Sequence, residues 1–233
     1  MTGRLRAILP APRPGSRGSK TPLRVPGRSG PPPEKVAEEL REQAGFVWLD
    51  GGNGTHRLYA RPLAVLTSRN GRSTATGPGG KVSFRCGGFD LLEAALAAWG
   101  DGNAGAALVG YLGYELARDL EDLPPPPPDD LGLPDLHLAL YDSCLRWDNQ
   151  GWTLEATNAW PGGTAPVVEA ERLLAAARRR PDPEIPEGRL AAGPVESRPG
   201  RSAFEAAVVQ VVERIGTGEI FQMNLCRRLE TPL

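Results

Sequence analysis

The stretch Arg201–Leu233 constrains the fold most, because its apolar pattern changes from a helical period to a strand period. Ser202 and Glu205 have the spacing of a capping box, which predicts that a helix begins there. Gly216 and Gly218 predict its end. Between these limits, apolar residues recur at helical spacings: Phe204, Val208, Val211, Val212 and Ile215. From Glu219 to Cys226 the apolar period is two, which predicts a strand.

The strand predicted over 219–226 has two chemically different faces. Phe221, Met223 and Leu225 lie on one face, whereas Gln222 and Asn224 lie on the other. Two uncharged amides side by side can line a polar pocket, which makes Gln222 and Asn224 candidate substrate-binding residues. The other interpretation is a solvated outer face of an antiparallel sheet. The pattern alone leaves both interpretations open.

Length and composition indicate a globular protein. The chain has 233 residues, of which 40% are apolar, enough for one domain or for one domain and part of a second. A net charge of −1 leads us to expect neither a nucleic-acid partner nor a membrane partner. The three cysteines, Cys86, Cys144 and Cys226, lack metal-ligand spacing. They indicate reduced thiols and a cytoplasmic location.

Composition also predicts four segments. Residues 1–33 contain seven Lys or Arg and no acidic residue, among many Pro and Gly, which predicts a disordered basic tail. Residues 34–180 carry helix and strand patterns and form the predicted first domain. Residues 181–200 are rich in Pro and charge without periodicity, as is typical of a linker. Residues 201–233 begin a second domain.

Within 34–180, patterning predicts an α+β fold with largely antiparallel sheets. The predicted helices are 34–44, 90–99 with Asp90 as its cap, 114–120 and 167–180. The predicted strands are 46–49, 63–66, 81–84, 106–111, 136–141, 144–147 and 152–157. A turn is predicted over 70–80, and polyproline II over 124–128. Phe89, Leu92, Leu96 and Trp99 are the predicted core face of the second helix.

Two long motifs resemble one enzyme family. GEIFQMNLCRR, at 218–228, resembles the strand that opens the chorismate-binding domain in component I of anthranilate synthase and of aminodeoxychorismate synthase, also called para-aminobenzoate synthase. Val109–Asp142 resembles the G-Y-x-G-Y-[DE] run, proline-rich crossing and L-P-D…Y-D strand of the same enzymes. The motifs occur in the family's order. With weaker matches, the resemblance extends from about Gly45 onward.

The resemblance implies amination of chorismate with ammonia, which a glutamine amidotransferase subunit supplies, and a requirement for Mg²⁺. In the family, the metal-binding glutamates and, in many members, a lysine in a P-I-K-G-T motif lie downstream of the matched strand. The sequence contains none of these motifs. We therefore expect an N-terminal part of a longer synthase, with no catalytic residue, no metal ligand and no synthase activity of its own.

Gln222 indicates which nucleophile an enzyme of the resembling family would use. In relatives that add water to chorismate, a lysine at the matching position is the base. A glutamine amide cannot deprotonate water at neutral pH. Gln222 therefore favours ammonia as the nucleophile and argues against a water-adding enzyme.

Four residues match the neighbourhood that holds a bound tryptophan in anthranilate synthase and in some aminodeoxychorismate synthases: Leu49, Asp50, Gly51 and Arg57. The family has a serine where this chain has Gly51, and glycine offers no side-chain donor. This difference makes tryptophan binding doubtful and favours aminodeoxychorismate synthase, which serves folate synthesis, over anthranilate synthase. A third alternative is a non-catalytic module that binds an amino acid or docks a glutaminase subunit.

Overall fold

The computed structural model of the protein shows two compact units, Met1–Asp182 and Pro183–Leu233. Its mixture of helices and antiparallel sheets confirms the predicted α+β class. The residues that the structure describes are 1–9, 18–22, 30–99, 107–126, 129–148, 151–157, 166–182 and 193–232.

The helices are α1 (Thr2–Ile8), α2 (Pro33–Leu40), α3 (Gly88–Trp99), α4 (Pro166–Arg179) and α5 (Arg201–Gly216), with a 3₁₀ helix at Tyr114–Asp119. The strands are β1 (Gly18–Pro22), β2 (Val47–Asp50), β3 (His56–Tyr59), β4 (Ala64–Arg69), β5 (Arg72–Gly77), β6 (Gly80–Arg85), β7 (Ala107–Leu112), β8 (Leu136–Tyr141), β9 (Ser143–Asp148), β10 (Gly151–Thr157), β11 (Glu196–Arg198) and β12 (Arg228–Glu230).

Two five-stranded antiparallel sheets form the framework of the first unit. The first sheet has the order β1-β10-β9-β3-β2, and the second has the order β6-β5-β4-β8-β7. Strand β8 leads into β9 through the single residue Asp142, so the chain passes directly from the second sheet to the first. Neighbouring strands such as β4 and β5, or β5 and β6, are joined by short turns, which explains the antiparallel pairing.

The first unit has four layers, and a buried cluster lies between each pair of neighbouring layers. Helices α1 and α3 pack on the second sheet through residues such as Leu91 and Leu136. Helices α2 and α4 pack on the first sheet through residues such as Leu58 and Leu174. Between the sheets lies a cluster that includes Tyr59 and Tyr141, whose ring centroids are 5.2 Å apart.

The predicted disorder of residues 1–33 is wrong for its described part. Leu5 and Leu9 are buried in the core of the second sheet, where α1 packs beside α3. A Cβ at Gly79 would lie 2.0 Å from the Ala7 carbonyl oxygen, so this close approach requires glycine. Strand β1 pairs with β10. The prediction of disorder was based on the composition of the whole segment, and this average does not reveal the few apolar residues that anchor the segment in the core. Residues 10–17 and 23–29 lie outside the described residues.

The turn predicted over 70–80 contains a strand, β5. Asn70 and Gly71 have φ values of 51° and 68°, as a two-residue hairpin turn requires. Ser73 and Ala75 alternate toward the core and are fully buried. The Ser, Thr and Gly content of this stretch led to the prediction of a turn. In the structure, the small side chains of β5 fill the narrow space between this strand and α3.

Helix α3 begins earlier than predicted and is capped by another element. The Asp119 carboxylate accepts hydrogen bonds from the amides of Gly88 (2.6 Å) and Phe89 (3.4 Å). Asp90, the predicted cap, lies in the first turn instead. Of the predicted core face, Phe89, Leu92 and Trp99 pack against the core, whereas Leu96 is 51% exposed. The buried side chains of the helix are Leu91, Ala94 and Ala95.

Most other elements of the first unit lie within a few residues of their predicted bounds. Strand β8 occupies 136–141 as predicted, and α4 covers 166–179. Helix α2 ends at Leu40, before the predicted stop at Gly45, which has a φ of 62°. In the proline-rich crossing, 124–126 have no regular structure, and 127–128 lie outside the described residues.

The second unit corrects two predictions. Helix α5 begins at Arg201, whose guanidinium donates to Glu205 at 2.7 Å, and no side chain caps it, so the predicted capping box is wrong. Gly218, with a φ of 74°, ends the helix as predicted. The predicted strand over 219–226 is also wrong, because this segment has no ladder partner among the described residues. Pairing begins at β12, which joins β11.

We expect Leu5→Ala to lower the free energy of unfolding by about 2–5 kcal/mol, because it removes a fully buried side chain from the core beneath α3. Leu96→Ala, at an exposed position on α3, should cost less than about 1 kcal/mol. Urea unfolding followed by circular dichroism measures both. Equal small effects would show that α1 does not belong to the core.

Candidate functional site

The predicted tryptophan-site residues meet at one end of the β2–β3 hairpin. Leu49 pairs with Arg57 and Asp50 pairs with His56. The connecting turn is closed by a hydrogen bond of 2.9 Å from the Gly51 amide to the Thr55 carbonyl oxygen. These residues are therefore close in space, and their assignment to a tryptophan site stays a prediction.

The hairpin divides these residues between the two faces of the first sheet. Leu49 and Arg57 share one face, since they are direct cross-strand partners. The Arg57 Nε lies 3.6 Å from Glu155 Oε2 on the same face. Asp50 points to the opposite face, where its Oδ1 lies 3.4 Å from His56 Nδ1. A single ligand on one face cannot contact the side chains of Leu49, Asp50 and Arg57 together.

The face that carries Arg57 also carries Tyr59, Cys144 and Glu155. The Cys144 thiol donates a weak hydrogen bond to Glu155 Oε2 over 3.7 Å. Burial, reinforced by the Glu155 carboxylate, raises the pKa of Cys144 to about 11. Burial also raises the pKa of Tyr59. The thiol and the phenol therefore stay protonated at neutral pH, so Cys144 is not an activated nucleophile.

Trp48 and His56 form a contact that the sequence did not single out. Trp48 Nε1 donates to His56 Nδ1 at 3.3 Å, and the ring centroids lie 5.9 Å apart. The same His56 nitrogen lies 3.4 Å from Asp50 Oδ1, so Trp48 and Asp50 both approach it. Trp48 pairs with Leu58, and Asp50 pairs with His56, so Trp48 and His56 are diagonal neighbours across the hairpin. Only the hairpin register reveals this contact.

Gly51 is required by the shape of its turn. A Cβ at Gly51 would lie 2.7 Å from Thr55 Oγ1 and 2.8 Å from the Thr55 carbonyl oxygen. The Asn53 Oδ1 is 3.0 Å from the same point. The turn therefore has no room for the serine that the resemblance places here.

The predicted pocket residues Gln222 and Asn224 are both exposed. Phe221, between the helix and these amides, is 93% exposed. The structure brings no other described side chain to Gln222 or Asn224 by a hydrogen bond. Their assignment to a substrate pocket therefore stays a prediction.

The glycines of the upstream motif provide close packing between strands. A Cβ at Gly110 would lie 1.9 Å from the His137 carbonyl oxygen of β8. The Gly113 amide donates to the Asp135 carbonyl oxygen at 2.6 Å. The neighbouring Tyr111 stacks on His137, with ring centroids 5.9 Å apart and planes inclined by 14°. The motif is thus a packing element of the second sheet.

Comparison with known proteins decides the family. A family model described as chorismate binding enzyme matches residues 44–233. The chain belongs to the chorismate-binding enzyme family. The predicted resemblance to component I synthases is confirmed, since relatives of both names are found.

Three relatives illustrate the range of names in the chorismate-binding family. The chain is 38% identical over 135 residues to anthranilate synthase component 1 of Thermus thermophilus, covering 54% of this chain and 27% of the relative. It is 34% identical over 146 residues to anthranilate synthase component 1 of Streptomyces coelicolor, covering 54% and 27%. It is 30% identical over 130 residues to aminodeoxychorismate synthase component 1 of Bacillus subtilis, covering 52% and 26%. These matches span only about a quarter of each relative's length.

The described residues contain neither a membrane-spanning helix nor a metal-binding group. No described helix is both long and apolar enough to cross a membrane. No three His, Cys, Asp or Glu side chains among the described residues come together as a metal-binding group.

We expect Gly51→Ser to lower the free energy of unfolding by about 1–3 kcal/mol, because the new Cβ must displace Thr55 from its turn. Gly3→Ser is the matched control, since nothing lies within 4 Å of a Cβ there. Thermal unfolding of both variants measures the difference. An unchanged Gly51→Ser protein would show that the turn accepts a serine.

Proposed function

We propose that this chain is part of component I of aminodeoxychorismate synthase, which aminates chorismate with ammonia to 4-amino-4-deoxychorismate for p-aminobenzoate and folate synthesis. The observation that carries this choice is the turn at Gly51. The resemblance gives the tryptophan-binding neighbourhood a serine at this position, and Thr55 occupies the space that its Cβ would need. A synthase without that serine suits the folate branch, in which tryptophan is not the end product.

The second candidate is component 1 of anthranilate synthase. The names of the Thermus thermophilus and Streptomyces coelicolor relatives favour it. The two reactions use the same substrate and nucleophile but differ in the ring carbon that is aminated. Only the anthranilate reaction eliminates pyruvate, which makes the two activities separable by product analysis.

Gln222 supports ammonia as the nucleophile in both candidates. Its carboxamide can donate and accept hydrogen bonds but cannot remove a proton from water at neutral pH. In the proposed enzyme it orients a neutral nucleophile, and Asn224 lies two residues along the same segment. A water-adding reaction would need a base that this position does not provide.

The proposal includes Mg²⁺, a glutamine amidotransferase subunit and a cytoplasmic location. Mg²⁺ would neutralise substrate carboxylates and assist departure of the leaving group. The described residues contain no group of carboxylates or imidazoles that fits the ion, so no residue of this chain is assigned to it. The alternative of a non-catalytic module that binds an amino acid or a glutaminase subunit predicts no chorismate turnover in any assembly.

Product analysis tests the proposal. The synthase that contains this chain is incubated with chorismate, ammonium and Mg²⁺, and the products are identified by mass spectrometry. We expect 4-amino-4-deoxychorismate and no pyruvate. Anthranilate with pyruvate would assign the second candidate instead, and an enzyme that consumes no chorismate would contradict both. The 233-residue chain alone should show no turnover.

In the same assay, Gln222→Lys should lower the amination rate by at least about tenfold, because a longer cationic side chain displaces the amide that positions ammonia. The matched control is Gln210→Lys, at an exposed glutamine of α5. The rates of both variants are compared at equal protein concentration. Unchanged amination by Gln222→Lys would remove this residue from the nucleophile's path.

Calorimetry with tryptophan tests the choice between the two branches. We expect tryptophan not to bind at the hairpin, so that no heat of binding depends on Arg57. The reason is that the hairpin lacks the serine and places Asp50 on the other face. The titration is repeated with Arg57→Ala. Saturable binding that Arg57→Ala abolishes would favour anthranilate synthase over the proposed enzyme.

A further inference from the structure

A cavity of about 620 Å³ lies between the first sheet and helices α2 and α4. Its volume falls within the range of about 300–1,000 Å³ that is typical of small-molecule sites. The cavity is separate from the hairpin site. Its sheet wall contains Leu58 and Leu154, which alternate along their strands with Arg57 and Glu155. These two leucines therefore lie on the face of the first sheet opposite to Arg57, although Cys144, on the Arg57 face, also lines the cavity.

The interior of this cavity is apolar. Leu58 and Leu154 form its sheet wall, and Leu40 of α2 and Leu173 of α4 line the helical side. Leu58 and Leu154 are almost completely buried. A ligand that enters here must place an aliphatic or aromatic body against these leucines.

One end of the cavity is closed by a polar bridge centred on Arg61. Its Nε donates to Gln43 Oε1 at 2.9 Å, and its Nη1 pairs with the Glu169 carboxylate. Arg61 has a φ of 54°, an unfavourable conformation for a non-glycine residue, and its amide donates to the Ala44 carbonyl oxygen at 2.7 Å. The bridge uses the Arg61 charge, which is therefore not available to a ligand.

Arg172 differs from Arg61, although both line the cavity. It lies on the same face of α4 as Glu169 and Leu173 and is exposed at the solvent side. It makes no hydrogen bond or ion pair with another described residue. Asp142, which also lines the cavity, accepts a hydrogen bond of 3.2 Å from the Ser143 hydroxyl and no other side-chain hydrogen bond from the described residues. The cavity thus offers one unpaired cation and one carboxylate around an apolar interior.

We propose that this cavity binds a small molecule with a carboxylate and an apolar body, the carboxylate pairing with Arg172. A guanidinium holds a carboxylate by two parallel hydrogen bonds, which are stronger than those between neutral groups. Two kinds of molecule share this chemistry. One is a simple monocarboxylate, and the other is an apolar α-amino acid, whose ammonium group would donate a hydrogen bond to the Asp142 carboxylate. The site goes beyond the proposed synthase activity and does not depend on which carbon of chorismate is aminated.

Three probes of similar size and shape test the site by calorimetry on the 233-residue chain: 3-phenylpropionate, phenylalanine and 3-phenylpropan-1-ol. We expect a carboxylate probe to bind with a dissociation constant between about 10 µM and 1 mM. The alcohol, which keeps the apolar body but lacks the charge, should bind at least about tenfold more weakly. Equal binding of the alcohol, or no binding of either carboxylate, would overturn the proposal.

Two arginine variants locate the binding. Arg172→Gln should weaken binding of the better carboxylate by at least about tenfold. Arg178→Gln, at an exposed position of α4 outside the cavity wall, should leave binding unchanged. Arg57→Ala should also leave it unchanged, which separates this site from the hairpin. Binding that survives Arg172→Gln, or that Arg57→Ala removes, would contradict the assignment. Melting temperatures of the free variants confirm that each is folded.

Phenylalanine and 3-phenylpropionate differ only in the ammonium group, so their comparison identifies the class of ligand. Tighter binding of phenylalanine, with an advantage that Asp142→Asn removes, assigns the site to amino acids. Equal or tighter binding of 3-phenylpropionate assigns it to simple carboxylates. Both results support the carboxylate site, and neither depends on the outcome of the chorismate assay.

Discussion

The packing of Tyr59 against Tyr141 between the two sheets is the contact on which the first unit depends. Tyr141 ends β8, and its hydroxyl donates to the Gly45 carbonyl oxygen at 2.5 Å. The next strand begins at Ser143, in the other sheet. The same few residues therefore join the sheets covalently, pack them together and attach the segment that leads into β2. Both candidate sites of this unit, the β2–β3 hairpin and the cavity, belong to the first sheet, which this junction holds against the second sheet.

The first sheet separates two chemical environments. One face carries Arg57, Glu155 and the protonated Cys144 thiol next to the inter-sheet core. The other face carries leucines and is covered by α2 and α4, with the carboxylate cavity between them. Because successive side chains alternate across a strand, adjacent residues such as Arg57 and Leu58 serve different sites. The family match covers residues 44–233 and so includes both faces of this sheet, whereas the amide-bearing segment with Gln222 lies in the second unit.

Local chemistry explains which predictions succeeded. Strand β8 and helix α4 carry their full apolar pattern within the element, so the sequence alone places them. The prediction for 219–226 followed the same alternation but was wrong as a strand. A strand needs a partner to pair its amides, and alternation does not provide one. The cap of α3 depends similarly on Asp119, which is 31 residues from the amide of Gly88.

The sequence by itself determined the family, the α+β class and the adjacency of Leu49, Asp50, Gly51 and Arg57, because motifs and short-range periodicity are local properties. Only the tertiary structure decided that Leu5 belongs to the core, that Asp50 and Arg57 face opposite sides, and that Arg172 lines a cavity with Asp142. These facts depend on contacts between residues distant in the chain. Such contacts are set by register and packing, which no local pattern specifies.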